Sequence, residues 1–204
     1  MIFKTVIKIP GAARAAGLAL VLVGAAATVA RAETVYHTPR SLLSAFFPGS
    51  ERVTFQRFPL AQDERDRLAR RLGYAPKRPS YVFYIASTAG HIDGYALIDD
   101  ELGQTEPITF GVKLSPDGTV ERTEILIYRE PRGDEVRARR FLDQLRGKTV
   151  RQPVQAGVDI DAVSGATVSS HAIANGVRRA LILYDELIAR GARTAHADAR
   201  LGGR

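Results

Sequence analysis

The sequence predicts an α+β fold, an antiparallel sheet with packed helices, and three features carry that reading. Ile108, Phe110, Val112 and Leu114 alternate with Thr109, Gly111 and Lys113, the period-two pattern of a strand with one buried face. Pro116-Asp117-Gly118 is a turn, and Val120 to Tyr128 returns with Ile125 and Ile127 in alternation, which completes a hairpin. A long helix follows from Ser170 to Arg190, striped by Ile173, Val177, Leu181, Tyr184 and Ile188 and ended by Gly191.

The other elements follow in order. Thr38-Pro39 opens a short helix through Leu42, Leu43, Phe46 and Phe47, which Pro48-Gly49 stops. Arg52 to Phe58 alternates loosely and reads as a strand. Asp63 to Leu72 reads as a helix: Asp63 and Glu64 lie in the first turn, Leu68 and Leu72 are four apart, and Gly73 ends it. Tyr81 to Ile85 is rich in β-formers, and Gly94 to Ile98 is a further short strand. After the hairpin, Asp134 to Leu145 suits one helix with Ala138, Phe141, Leu142 and Leu145 on a stripe. Gln152 to Ala166 reads as the loop before the long helix.

Composition narrows the chemistry. The 204 residues include no cysteine, so disulfides, thiolate nucleophiles, iron–sulfur clusters and Cys-ligated zinc are excluded. Four scattered histidines, His37, His91, His171 and His196, form no metal-ligand spacing, and no metal site is expected. The net charge of +7 is concentrated at the ends. Lys4, Lys8, Arg14 and Arg31 give the first 32 residues +4, and residues 191–204 carry +2, leaving +1 for residues 33–190. A nucleic-acid binder places its charge on a folded face, so nucleic acid is not expected as a partner.

Residues 1–32 read as a signal peptide. A basic start precedes an uncharged run from Ala15 to Ala30, and Ala30-Arg31-Ala32 is an A-x-A cleavage site. The run would span about 24 Å as a helix, short of the roughly 20 residues a membrane span needs. Cleavage after Ala32 and a periplasmic location are the expectation, with a tether the outcome if the leader is retained. The remaining chain divides into an extension without assigned role (33–79), a main domain (80–190) and a basic tail expected to be disordered (191–204).

Several motifs fail. Gly147-Lys148-Thr149 lacks the earlier glycine of a phosphate-binding loop, that position being Leu142. No G-x-G-x-x-G is present. Asp99-Asp100-Glu101 reads as a solvated turn rather than a cation site. Asp159 and Asp161 resemble a glycosidase carboxylate pair only in composition.

The segment that carries chemistry runs Asp161-Ala162-Val163-Ser164-Gly165-Ala166-Thr167-Val168-Ser169-Ser170. Its residues suit a helix start, where hydroxyls cap orphan N–H groups and glycine allows an unusual backbone angle. They equally suit an anion site, where small residues let backbone N–H groups approach a phosphate at the positive end of a helix.

The string D-x-x-S-G-A-T-x-S-S resembles the attachment motif of the FMN-binding domain family, which includes the G subunit of Rnf complexes and the C subunit of the sodium-pumping NADH:quinone reductase. The resemblance implies that Thr167 is esterified to the phosphate of FMN, with Asp161, Ser164, Gly165 and Ala166 forming the recognition loop. It implies as partner a flavin transferase that loads FMN from FAD. Upstream the resemblance is looser, over about residues 80–190. Asp117-Gly118 matches a family turn, and Glu130 and Gly133 match an H-x-E-T-x-G-like stretch in which Pro131 replaces the threonine. Phe141 to Lys148 resembles the family's aromatic stretch ending in G-K. The whole looks closer to single-domain exported FMN-binding proteins than to the large-complex subunits.

Beside that, the residues leave alternatives. Glu130 accepts from a ring N–H or joins a surface salt bridge with Arg129 or Arg132. Arg132 stabilises a reduced flavin or lies in solvent, and Glu106 and Thr109 face the ring or mark a strand entry. Tyr81, Tyr84 and Phe110 are core residues before they are stacking residues. With no nicotinamide site and no acid–base pair, an electron relay from a membrane or periplasmic donor fits better than a self-contained oxidoreductase. The alternative from another class is a flavin-free exported binding or assembly module.

Overall fold

Five strands succeed one another as an antiparallel meander: β2 (Arg52–Pro59), β3 (Ser80–Thr88), β4 (His91–Leu102), β5 (Pro107–Leu114) and β6 (Val120–Tyr128). The short β1 (Thr34–Val35) pairs antiparallel with β6, giving the sheet order β1-β6-β5-β4-β3-β2. The computed structural model describes residues 33–191. The expected leader, and the basic tail after Gly191, lie outside the described residues. Among the described residues no helix is long and apolar enough to cross a membrane.

The α+β expectation holds, with helices on both faces of the sheet. On one face, α1 (Pro39–Phe46) covers Ala86, Ala96 and Leu126 with Leu42, Phe46 and the following Phe47. Thr38 caps it, its hydroxyl accepting from the Ser41 N–H at 3.1 Å. Gly111 leaves room beneath it, since a methyl there would strike Leu42.

The other face carries the main core. Phe83, Leu97, Phe110, Val112 and Leu114 point from the strands toward α4 (Thr167–Tyr184) and α2 (Gln62–Leu72). In α4 thirteen of eighteen residues are buried, so it is a central element rather than a surface helix. Gly176 lies against the Phe110 ring, where no side chain would fit. At the start of α2 the Glu64 carboxylate accepts from the Ala61 N–H at 2.8 Å, and Gly73 at φ +85° ends the helix.

Residues 33–79, without a role in the sequence reading, supply both edge strands of the sheet and the helices α1 and α2. Three sequence expectations are corrected. The strand expected at Gly94–Ile98 is the twelve-residue β4, because its first part, from His91 to Leu97, pairs with β3 and its second, from Tyr95 to Leu102, pairs with β5. The long helix starts at Thr167, not Ser170, and its last turn, Asp185–Ala189, widens to π geometry. The helix expected over Asp134–Leu145 is broken into a 3-10 turn (Asp134–Arg137), the short α3 (Arg139–Leu142) and a second 3-10 turn (Asp143–Leu145). In one continuous helix Val136 and Leu145 would sit on opposite sides, at about 100° per residue. Extended backbone at Ala138 (ψ 133°) lets Val136, Phe141, Leu142 and Leu145 all reach the core.

The acidic triplet is also not a turn. Asp99, Asp100 and Glu101 lie in β4, whose alternation points Asp99 and Glu101 to the α4 face. There Arg179 pairs with Asp99 at 2.9 Å and with Glu101, and it donates to the Asp100 carbonyl at 2.9 Å. Arg78 holds the other Asp99 oxygen at 3.0 Å. Burial works to lower the pKa of Arg179, but the charges of Asp99 and Glu101 outweigh it and raise the pKa, so the guanidinium stays charged. Among the described residues no cluster of His, Asp and Glu is arranged to hold a metal.

Candidate functional site

The attachment-like segment forms the loop and first turn that launch α4. Asp161 is bracketed by one side chain: its N–H donates to the Gln144 amide oxygen at 2.7 Å, and the Gln144 amide nitrogen donates to its carbonyl at 3.3 Å. Val163 is buried, and its N–H donates to the Ser170 hydroxyl at 3.0 Å. The Ser170 hydroxyl donates in turn to the Ala166 carbonyl at 2.9 Å, so the loop is closed on the helix from within. Gly165 sits at φ +81°, the left-handed region that glycine enters without strain.

Ala166 is the N-cap of α4, and no side chain caps the helix. The first N–H groups of a helix have no intrahelical partner, so this end offers donors at the positive end of the helix dipole. Thr167 is the first helical residue and is exposed, as are Ser164 and Gly165, while Ala166 is buried beneath them. Ser169 and Ser170, both buried, are spent on internal bonds and leave Thr167 as the accessible hydroxyl of the first turn.

The segment after β6 is brought against this loop. The Tyr128 hydroxyl donates to the Arg132 carbonyl at 2.7 Å and lies 2.8 Å from the Ser169 hydroxyl. Burial pushes the Tyr128 phenol up, so it is neutral and available as a donor. Gly133, at φ +93°, fills the space between: an added methyl carbon would lie 2.7 Å from the Tyr128 hydroxyl, 2.9 Å from that of Ser169 and 3.6 Å from the Ala166 methyl. Gly133 is therefore a packing neighbour of the attachment loop.

Glu130 and Arg132 are placed differently from what the sequence offered. Glu130 is buried, and its carboxylate accepts from the Thr105 N–H at 2.6 Å, the Thr105 hydroxyl at 2.9 Å and the Glu106 N–H at 2.9 Å. Burial raises its pKa, but these donors outweigh it and hold the carboxyl below its ordinary value. The salt bridge offered for it is not formed, since Arg129 turns to Glu33 and to the Pro107 carbonyl. Its partners belong to the turn between β4 and β5, not to the attachment loop. The Arg132 side chain is exposed, and only its carbonyl is engaged. Thr109 bonds Asp100 and Arg129, and Tyr81 and Phe110 are core residues as expected.

A cleft of about 430 Å³ adjoins the loop, lined by Asp161, Ala162, Val163 and Ser164 on one side and Arg140, Phe141 and Gln144 on the other. That volume lies in the range of small-molecule sites, roughly 300–1,000 Å³. Other clefts are of similar size, about 410 Å³ beside Phe47 and Tyr84, 390 Å³ beside Asp117 and Tyr184 and 370 Å³ beside Arg151 and Arg178, but none of them borders the motif. Sequence reasoning missed Tyr128, Gln144 and Arg140. Their roles arise from contacts across the fold, and no local pattern announces them.

The model of the FMN-binding domain family matches residues 103–182, from the turn held by Glu130 through most of α4. That segment is similar to FMN-binding domains. The matched segment contains the Asp161–Ser170 stretch, Tyr128, Gly133 and all seven cleft residues. No curated protein matches the chain. Among solved structures it is similar to NqrC of Shewanella oneidensis, at 15% identity and TM-score 0.48 over 72% of this chain and 86% of that one. It is also similar to the C subunit of the Na(+)-translocating NADH-quinone reductase from Parabacteroides distasonis, at 16% identity and TM-score 0.43 over 65% and 76%.

The residues present fit FMN. An uncapped helix start and an exposed hydroxyl suit its phosphate, and the adjoining cleft, lined by Arg140, Gln144, Asp161 and Ser164, offers polar groups to the polar edge of its ring.

Proposed function

We propose that this chain is an exported flavoprotein that carries FMN covalently on Thr167 and relays electrons between a membrane or periplasmic donor and an acceptor. The observation that supports it most is the placement of Thr167. It is the exposed hydroxyl at the first position of an uncapped helix, directly after Ser164-Gly165-Ala166, within the segment similar to FMN-binding domains. The attachment step balances with FAD as donor and a separate flavin transferase. The Thr167 Oγ–phosphorus bond forms at the FMN phosphate, the pyrophosphate bond breaks, AMP leaves, and the hydroxyl proton passes to a base of the transferase.

Each part of the loop has a task in this reading. The first N–H groups of α4 hold the phosphate ester, and Gly165 permits the turn that exposes Thr167. Gln144 fixes Asp161 so that the loop keeps its shape. Bound FMN supplies the redox chemistry, and the protein supplies position and electrostatics. The proposed export rests on the basic start, apolar run and Ala30-Arg31-Ala32 of the leader. The sequence holds no G-x-G-x-x-G from which a dinucleotide donor would be read, so a redox partner at the membrane or in the periplasm is the proposed source of electrons.

The test is production of the full chain with and without a flavin transferase. A band that fluoresces after denaturation, a mass increase equal to FMN less water, and a flavin-bearing peptide containing Thr167 are expected only with the transferase. A colourless, unmodified protein in both cases would overturn the assignment and favour the flavin-free binding module.

A further inference from the structure

We propose that Arg140 is the residue that sets the redox potential of the flavin in the cleft beside the attachment loop. This rests on the reading of Thr167 as the FMN carrier. Reduction of the ring adds negative charge at N1 and C2=O, so a free cation at the ring shifts the equilibrium toward the reduced form. The question is which cation of this chain is free and correctly placed.

Most arginines around the site are already engaged. Arg122 and Arg139 both pair with Glu124, Arg129 pairs with Glu33, and Arg137 lies 3.6 Å over the Tyr36 ring. A guanidinium already matched to a carboxylate has little field left for a ligand. Arg132 and Arg140 are exposed, and neither side chain has a hydrogen bond or ion pair among the described residues. Of these two only Arg140 lines the cleft.

The backbone explains the placement. The extended residue Ala138 breaks the helix, and the short α3 that restarts after it buries Phe141 and Leu142. Arg140, adjacent to Phe141, is thereby left exposed and lining the cleft. Across the cleft lie Ser164 and Asp161. Ser164 and Thr167 are three residues apart, at most about 11 Å along the chain, so a group tethered to Thr167 starts within reach. Asp161 is the one carboxylate lining the cleft, and it makes no ion pair with Arg140. The guanidinium is therefore free to face a ligand.

The experiment uses the transferase-loaded full chain and spectroelectrochemistry on wild type, Arg140→Ala, Arg140→Gln, Arg140→Lys and Arg132→Ala, with covalent loading read by in-gel fluorescence. Expected is full loading throughout. For Arg140→Ala and Arg140→Gln, the reduced-to-oxidised ratio at a fixed potential should fall about tenfold, a midpoint lowered by about 30 mV for a two-electron couple. Arg140→Lys should recover part of that shift, and Arg132→Ala should leave the midpoint unchanged. An unchanged midpoint in the loaded Arg140 variants overturns the proposal while leaving the attachment intact. Lost loading in both Arg140→Ala and Arg140→Gln also overturns it, since Arg140 would then serve the transferase. A wild-type chain that takes no flavin is instead the failure of the underlying reading.

Discussion

The hydroxyl groups of Tyr128 and Ser169 meet at 2.8 Å in the interior, forty-one residues apart in sequence. One belongs to the last residue of β6 and the other to the first turn of α4, so this contact fixes the attachment loop to the sheet. The Tyr128 hydroxyl also holds the Arg132 carbonyl, and Gly133 leaves the room for both. Tyr128→Phe removes the shared atom and leaves the buried Ser169 hydroxyl and the Arg132 carbonyl each short of a partner, at a cost of about 1–3 kcal/mol. Thermal unfolding of the variant should show a melting temperature lower by several degrees.

Thr167 carries no such burden. It is exposed, and valine is β-branched like threonine, so Thr167→Val should leave stability within about 0.5 kcal/mol of wild type. The same variant should lose all fluorescence on a denaturing gel after exposure to the transferase. Thr167→Ser keeps the hydroxyl but frees its rotamer, and partial loading is expected. Fluorescence persisting in Thr167→Val would place the flavin elsewhere.

Arg179 is where stability, rather than function, concentrates charge. Its side chain is 6% exposed, and it neutralises Asp99 at 3% and Glu101 at 15%. Arg179→Ala leaves a buried carboxylate without its main partner, a change that costs about 3–5 kcal/mol. Urea unfolding should report that loss. The triple variant Asp99→Leu/Glu101→Gln/Arg179→Met, which removes all three charges and fills the space, should recover most of it.

The sequence and the structure agree where the pattern is local. In β5, Ile108, Phe110, Val112 and Leu114 all enter the main core as the alternation predicts, and Thr38-Pro39 starts α1 where capping chemistry says it should. In β6 the expected alternation fails past Ile125, because a register shift puts Ile125 in the main core and the half-buried Ile127 on the α1 side. The extent of β4 was not legible because Asp99 and Glu101 are poor strand residues until Arg179, eighty positions from Asp99, satisfies them. The break at Ala138 carries no glycine or proline signal; it follows from the need to bury Val136 together with Phe141 and Leu145. At the site, the motif singles out Thr167 and its loop, and the structure puts that loop at the start of α4 with Thr167 exposed. Gln144 and Arg140 were hidden because their relation to Asp161 and Ser164 exists only after folding. Glu130 was legible as important but not for its task, since the turn it holds lies twenty-five residues upstream.

That task predicts a particular pH dependence for Glu130. Its carboxylate is buried against the Thr105 and Glu106 N–H groups and the Thr105 hydroxyl, and its folded pKa lies below the ordinary 4.5. A carboxylate with a depressed folded pKa contributes stability that is present above its unfolded pKa and lost as pH falls through its folded pKa. Glu130→Gln keeps an acceptor oxygen for the two backbone N–H groups, and its amide N–H₂ can donate to the Thr105 hydroxyl. Near neutral pH it should be less stable than wild type by about 1–2 kcal/mol, since charge-assisted bonds are replaced by neutral ones. As pH falls from 4.5 through the lower folded pKa, the wild-type carboxylate is protonated in turn, and the gap should close. Urea midpoints for both proteins across that range give the comparison. A gap that stays constant with pH would show that the turn is held by something other than the charge of Glu130.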